Sequence, residues 1–127
     1  LSLMRSDRSS WSQWKQDLVI MPLFENIQRG FFVESGALDG EKYSNSLLFE
    51  VQKNWTGLLI EPDWTNYLAI QRLHRHAYVY RGCLSPTGRP EKVQFARKSG
   101  DGSLSHITAT GGVKVEARSL QELLATI

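Results

Sequence analysis

Gly30-Phe31-Phe32-Val33-Glu34-Ser35-Gly36-Ala37-Leu38-Asp39-Gly40-Glu41 decides the fold class of this chain. An apolar, β-prone run from Phe31 to Val33 breaks into two glycines, Gly36 and Gly40, with acids at Glu34, Asp39 and Glu41, and a helical pattern follows. That order predicts a strand, a tight loop and a helix. In open α/β sheets such a loop sits at the carboxyl end of its strand, where ligands bind, and its glycines let backbone approach a ligand where a Cβ would clash.

Gly57-Leu58-Leu59-Ile60-Glu61-Pro62-Asp63 is a second short apolar run that ends in a carboxylate. Glu61 follows Gly36 by about the interval at which nucleotide-binding α/β domains place the acid that accepts hydrogen bonds from ribose hydroxyls. The two signals together point to a nucleoside-cofactor site.

Working outward toward the amino terminus, residues 1–11 read as a polar lead-in, and 12–127 as one domain. Trp14, Leu18, Val19, Leu23, Phe24 and Ile27 recur at near-helical spacing, so the segment predicts helix on either side of Pro22. Trp11 and Trp14 are expected to pack against the sheet.

Toward the carboxyl terminus, Ser44 or Asn45 can cap a helix whose apolar stripe is Leu47, Leu48 and Val51, with Asn54 and Gly57 at its exit. Asp63 is the expected N-cap of a further helix, Trp64 to Leu73, that turns Tyr67, Leu68 and Ile70 inward. His74, Arg75 and His76 form a polar helix exit. No third ligand accompanies the two histidines, and cations at a helix C-terminus have a simpler electrostatic explanation than a metal. Ala77 to Ser85 predicts the third strand, closed by the turn Pro86-Thr87-Gly88-Arg89-Pro90. Lys92 to Ala96 and Val113 to Arg118 alternate as strands, Ser99 to Ser105 is a glycine- and serine-rich loop, and Ser119 can cap a last helix carrying Leu120, Leu123 and Leu124.

Three strands separated by two helical stretches imply parallel crossovers. The expected fold class is therefore α/β, a Rossmann-like doubly wound, mainly parallel sheet. Such a sheet ordinarily has about five or more strands, so this domain is expected to be incomplete at its C-terminus.

The bulk properties exclude some classes. The 127 residues are 41% apolar with a formal net charge of +2 dispersed among acids, which gives no argument for nucleic acid or an anionic membrane as partner. Cys83 is the single cysteine, so neither an intrachain disulfide nor a cysteine-based zinc site can be assembled. No apolar run approaches the roughly 18 residues of a membrane span. Asn54-Trp55-Thr56 matches the N-glycosylation acceptor pattern, which is common by chance and matters only in a secreted or lumenal protein.

Ser12-Gln13 with Gln16-Asp17, the run Phe31 to Glu41, Ser44-Asn45-Ser46, Trp55 to Asp63 and Cys83-Leu84-Ser85 together resemble the FkbM-type methyltransferase-like domain, closest to its animal branch of proteins similar to Star. The resemblance covers roughly Ser12 to Leu124. It implies the N-terminal part of a class I methyltransferase fold with S-adenosyl-L-methionine as cofactor and a hydroxyl oxygen of a sugar or other small molecule as methyl acceptor. Carried over, Glu34, Gly36, Ala37, Asp39 and Gly40 would surround the methionine part of the cofactor. Glu61 would hold the ribose, Pro62 and Asp63 would shape the adenine side, and Cys83, Leu84 and Ser85 would lie near the adenine ring. Leu38 stands where the general class I loop has a glycine. The later aspartate-bearing strand of the family has no match before Ile127, so no catalytic base is named.

The Star branch implies an alternative, a noncatalytic protein that assists ER-to-Golgi and endosomal trafficking of growth-factor (EGF receptor ligand) precursors. The two readings imply different compartments, cytoplasmic for a soluble enzyme and endomembrane-associated if an upstream anchor exists. A third reading is a Rossmann-like interaction module in which the loop and Glu61 are inherited fold features.

Overall fold

Apolar runs bounded by turn residues become three short parallel strands: β1 (Phe31–Ser35), β2 (Thr56–Ile60) and β3 (Tyr78–Tyr80). The computed structural model describes residues 8–98, 100 and 102–127. The strands form one sheet in the order β1-β2-β3, with Phe31 opposite Thr56 and Leu58 opposite Tyr78. The expected lead-in falls largely outside the described residues, as do Ser99 and Asp101 of the glycine- and serine-rich loop.

β2 is the central strand and is apolar on both faces, as a parallel strand covered from two sides must be. Leu59 points into a cluster with Phe32, Phe49, Trp55 and Ile70. Leu58 and Ile60 point the other way, against Leu123. Phe49 belongs to α2 (Leu47–Lys53) and Ile70 to α3 (Trp64–Leu73), the two crossover helices, whereas Leu123 belongs to α4 (Leu120–Leu124). Both crossover helices therefore contribute to one face of the sheet and α4 to the other.

The helix boundaries follow local chemistry. Asp63 accepts the Asn66 N–H and starts α3, as the sequence predicts. Ser119 and Glu122 form a capping box at α4. Ser44 acts ahead of α2, its hydroxyl accepting the Leu47 N–H at 3.1 Å, while the N-cap position itself is Ser46. Asn54 closes α2 in the left-handed conformation.

The predicted third strand is divided. Tyr78–Tyr80 stays in the parallel sheet, but Cys83–Leu84 forms β4 of a second sheet ordered β4-β7-β5-β6. Its other members are β5 (Glu91–Ala96), β6 (His106–Thr108) and β7 (Val113–Arg118), with β5 antiparallel to both β6 and β7 and β4 parallel to β7. The chain changes sheets at Gly82, where a Cβ would stand 2.5 Å from the Glu116 carbonyl oxygen and 2.6 Å from the Tyr80 ring. Only glycine admits that approach. The α/β class thus holds, while the sheet is not one mainly parallel layer: a three-stranded parallel sheet adjoins a four-stranded mixed one.

The amino-terminal helical segment also differs from its prediction. It comprises α1 (Gln16–Ile20) and a 3₁₀ turn (Met21–Phe24) that carries Pro22 in its first turn. Trp11 is buried, but against Leu47 and Leu48 of α2 rather than against the sheet. Trp14 is 77% exposed, and Leu18, Val19, Leu23 and Ile27 are exposed as well. Helical spacing does not bury a face when the helix is a single turn.

Candidate functional site

The loop after β1 is shaped by its own backbone. Gly36, Leu38 and Gly40 all have positive φ, at 76°, 53° and 86°. Gly36 takes this conformation without cost, and a Cβ there would meet no atom within 4 Å. Leu38 takes it against steric preference, at about 1–2 kcal/mol. Asp39 tightens the turn, its Oδ1 accepting the N–H groups of Glu41 at 2.9 Å and Lys42 at 2.7 Å.

Glu61 explains why Leu38 can be held there. Its Oε2 accepts the Leu38 N–H at 2.8 Å and its Oε1 the Asp63 N–H at 2.8 Å. The two sequence signals therefore meet in space, at the carboxyl ends of adjacent parallel strands. Glu61 is only 4% exposed. Burial pushes its pKa up against the backbone hydrogen bonds from Asp63 and Leu38 that pull it down.

Glu34 is likewise engaged. Its carboxylate accepts the Ser44 hydroxyl at 2.8 Å, the Ser46 hydroxyl at 2.5 Å and the Asn45 N–H at 2.6 Å, which ties the end of β1 to the start of α2. Beside it opens a cavity of about 230 Å³, lined by Glu34, Gly36, Ala37 and Leu38 on one side and Lys42, Tyr43 and Asn45 on another. Gln13 and Gln16 face it from the amino-terminal segment, and Ser103 and Leu104 from the segment between β5 and β6.

Asp17 positions those glutamines. It is fully buried and accepts the Ser10 hydroxyl at 2.6 Å, the Ser12 hydroxyl at 2.7 Å and the Trp11 N–H at 2.9 Å. A bridge between Ser12 and Tyr43 joins this turn to the far wall of the cavity. The run Ser12-Gln13 with Gln16-Asp17 carried the signal for this wall, although not the roles.

Of the residues predicted to bind cofactor, Glu34, Gly36 and Ala37 share this cavity. Asp39, Gly40 and Glu61 shape the loop from behind it. Pro62 and Asp63 line a different cleft, of about 320 Å³. Cys83 is buried with Val93, Phe95 and Ala117 in the core of the second sheet. Its thiol pKa is pushed up to about 11, by burial first and then by the negative charge of Glu61. The Ser85 hydroxyl donates to Glu91 at 2.6 Å and accepts the Arg89 N–H, organising the turn after β4. Leu84 is half-buried against the Leu58, Ile60 and Leu123 cluster.

Arg75 is a correction. Its place in a polar helix exit suggests a cation that answers the helix C-terminus, but its side chain is 1% exposed and its Nε lies 2.7 Å from Glu50 Oε2. The same guanidinium donates to the Gly40 carbonyl and to Ser46 at 3.0 Å. It therefore clamps the second glycine of the loop to both crossover helices. Nothing in the sequence around His74-Arg75-His76 marks that role, since its partners lie 25 or more positions away.

Among the described residues no helix is long and apolar enough to cross a membrane. Comparison of the chain with protein-family models, curated proteins and solved structures finds no match.

Proposed function

We propose that this chain is an S-adenosylmethionine-binding methyltransferase-like domain of the FkbM type, with a Rossmann-like, doubly wound fold. The observation that carries the reading is the hydrogen bond from the Leu38 N–H to Glu61: a strand-terminal loop in left-handed conformation, fastened to the acid that ends the next parallel strand. Strain held at such a loop is characteristic of ligand sites.

The cavity suits one end of the cofactor. Glu34 and Lys42 place opposite charges on its wall, complementary to the ammonium and carboxylate of an amino acid, and the space above Gly36 is open. Glu61 accepts the Leu38 and Asp63 N–H groups and a side-chain hydrogen bond from Asn66, which leaves one of the about four acceptor positions of a carboxylate for a ribose hydroxyl. When bound, the cofactor would supply an electrophilic methyl group on a sulfonium. The residues of this chain would contribute binding and alignment of the two reactants, which is where most of the acceleration in such a transfer arises. Gln13 and Gln16 offer carboxamide donors and acceptors to a hydroxyl-bearing acceptor, a sugar or other small molecule.

One observation favours the alternative, a noncatalytic Star-like role in trafficking growth-factor precursors. Glu61 is 4% exposed and already satisfied by backbone donors, as a purely structural carboxylate would be.

Calorimetric titration of S-adenosylhomocysteine separates the two. Binding that Lys42→Ala weakens supports the cofactor site, and at an excess of about 100 times Kd it should add roughly 2.7 kcal/mol of stability. A folded chain that shows neither heat nor a melting shift overturns the methyltransferase reading and leaves the trafficking or interaction role.

A further inference from the structure

The cleft that holds Pro62 and Asp63 has a chemistry of its own. It lies between the amino terminus of α3 and the second sheet, and encloses about 320 Å³. Phe95 and Val113 are directly opposed in the β5–β7 ladder, and Val115 follows Val113 by two positions, so these side chains form one apolar wall. The facing wall is the Trp64 ring, 54% exposed and stacked on Tyr67 at 5.8 Å and 21°.

Two guanidinium groups border this slot. Arg81 lies over the Trp64 ring, 4.8 Å from its centroid. Arg97, just past the end of β5, places its Nε 2.7 Å from Asp63 Oδ2. Asp63 thus neutralises Arg97, while Arg81 has no carboxylate partner among the described residues. A guanidinium over an aromatic ring still carries its N–H donors in a planar fork that matches an oxyanion.

We propose that this cleft binds a small, flat ligand bearing an oxyanion, either phosphate or carboxylate. Its ring lies against the Phe95–Val113 wall beside Trp64, whose ring already stacks on Tyr67 and lies under Arg81, and its anionic group meets Arg81. The site is separate from the cavity beside Gly36, so the proposal does not rest on the cofactor reading. It applies equally to an enzyme and to a noncatalytic domain.

The test is calorimetric titration of the chain with four probes: phenyl phosphate, benzoate, inorganic phosphate and phenol. Phenyl phosphate or benzoate should bind at least about tenfold more tightly than inorganic phosphate or phenol, with the tighter of the first two identifying the anion. Arg81→Gln, at an exposed position, should weaken binding by about tenfold or more, and Trp64→Leu should weaken it while melting shows both variants folded. Affinity should fall as salt is raised, because the anionic contact is solvent-accessible. Absence of saturable binding by either aromatic anion, or binding undiminished in Arg81→Gln, overturns the proposal. Displacement of the probe by S-adenosylhomocysteine overturns the separation of this cleft from the cofactor site.

Discussion

Arg75 and Glu50 form a buried ion pair, 2.7 Å from Nε to Oε2, that joins the exit of α3 to the middle of α2. The second carboxylate oxygen of Glu50 accepts the His76 N–H at 2.8 Å, and Arg75 reaches onward to Gly40. One cation therefore holds two crossover helices and the glycine loop in register.

Removing one partner of such a pair leaves the other charge buried and uncompensated, which costs about 3–5 kcal/mol. Arg75→Ala should lose that much stability in urea denaturation. Arg75→Lys should restore little of it, because an ammonium lacks the planar fork that spans Glu50, Gly40 and Ser46. Near-normal stability of Arg75→Ala would show that the network is redundant.

Asp17 and Glu61 should give opposite pH dependences. For Asp17 burial raises the pKa, but hydrogen bonds from Ser10 and Ser12 and from the Trp11 and Ser12 N–H groups hold it below the ordinary 3.8. That stabilisation is present above 3.8 and is lost as pH falls through the lower folded value. Glu61 is held above the ordinary 4.5 chiefly by burial, so its contribution is full below 4.5 and is lost as pH rises through the higher folded value. Urea midpoints between about pH 2 and about pH 7 should show a shallower acid limb for Asp17→Asn and a shallower decline above 4.5 for Glu61→Gln. Curves parallel to the parent chain would contradict both assignments.

Cys83 should be inert in the folded chain. With its pKa pushed up to about 11, only about a thousandth of the thiol is thiolate near pH 8. Ellman's reagent should modify it slowly in buffer and rapidly in denaturant. Fast labelling of the native chain would mean that the second sheet opens readily.

The glycines should separate ligand contact from packing. Gly36→Ala should cost about 1–2 kcal/mol from its positive φ alone, since its Cβ meets open space, yet weaken S-adenosylhomocysteine by filling the cavity. Gly82→Ala should cost about 1–3 kcal/mol through the clash with the Glu116 carbonyl and leave the cavity lining unchanged. Both are read by urea denaturation with calorimetry alongside. Equal affinities in the two variants would remove Gly36 from the site.

Much of the fold was legible because its signals are local. The Asp63 cap, the Ser119 box, the Asn54 exit and the β1 and β2 runs each depend on residues within one turn or one strand of each other. Ser12, Gln13, Gln16 and Asp17 also stood out, although only as a pattern. Trp14 shows the limit of periodicity: the spacing is helical, but α1 starts only at Gln16 and that ring stands in solvent.

By itself the sequence determined an α/β chain with a glycine loop after its first strand and an acid after its second, since hydrophobic period, caps and turn residues act over a few positions. Tertiary structure alone decided that residues 77–85 serve two sheets, that Arg75 is a buried clamp, and that Gln13 and Leu104 face one cavity. The physical reason is the same in each case. Burial and charge pairing act through space, and an arginine reads identically in sequence whether its carboxylate partner or water receives it.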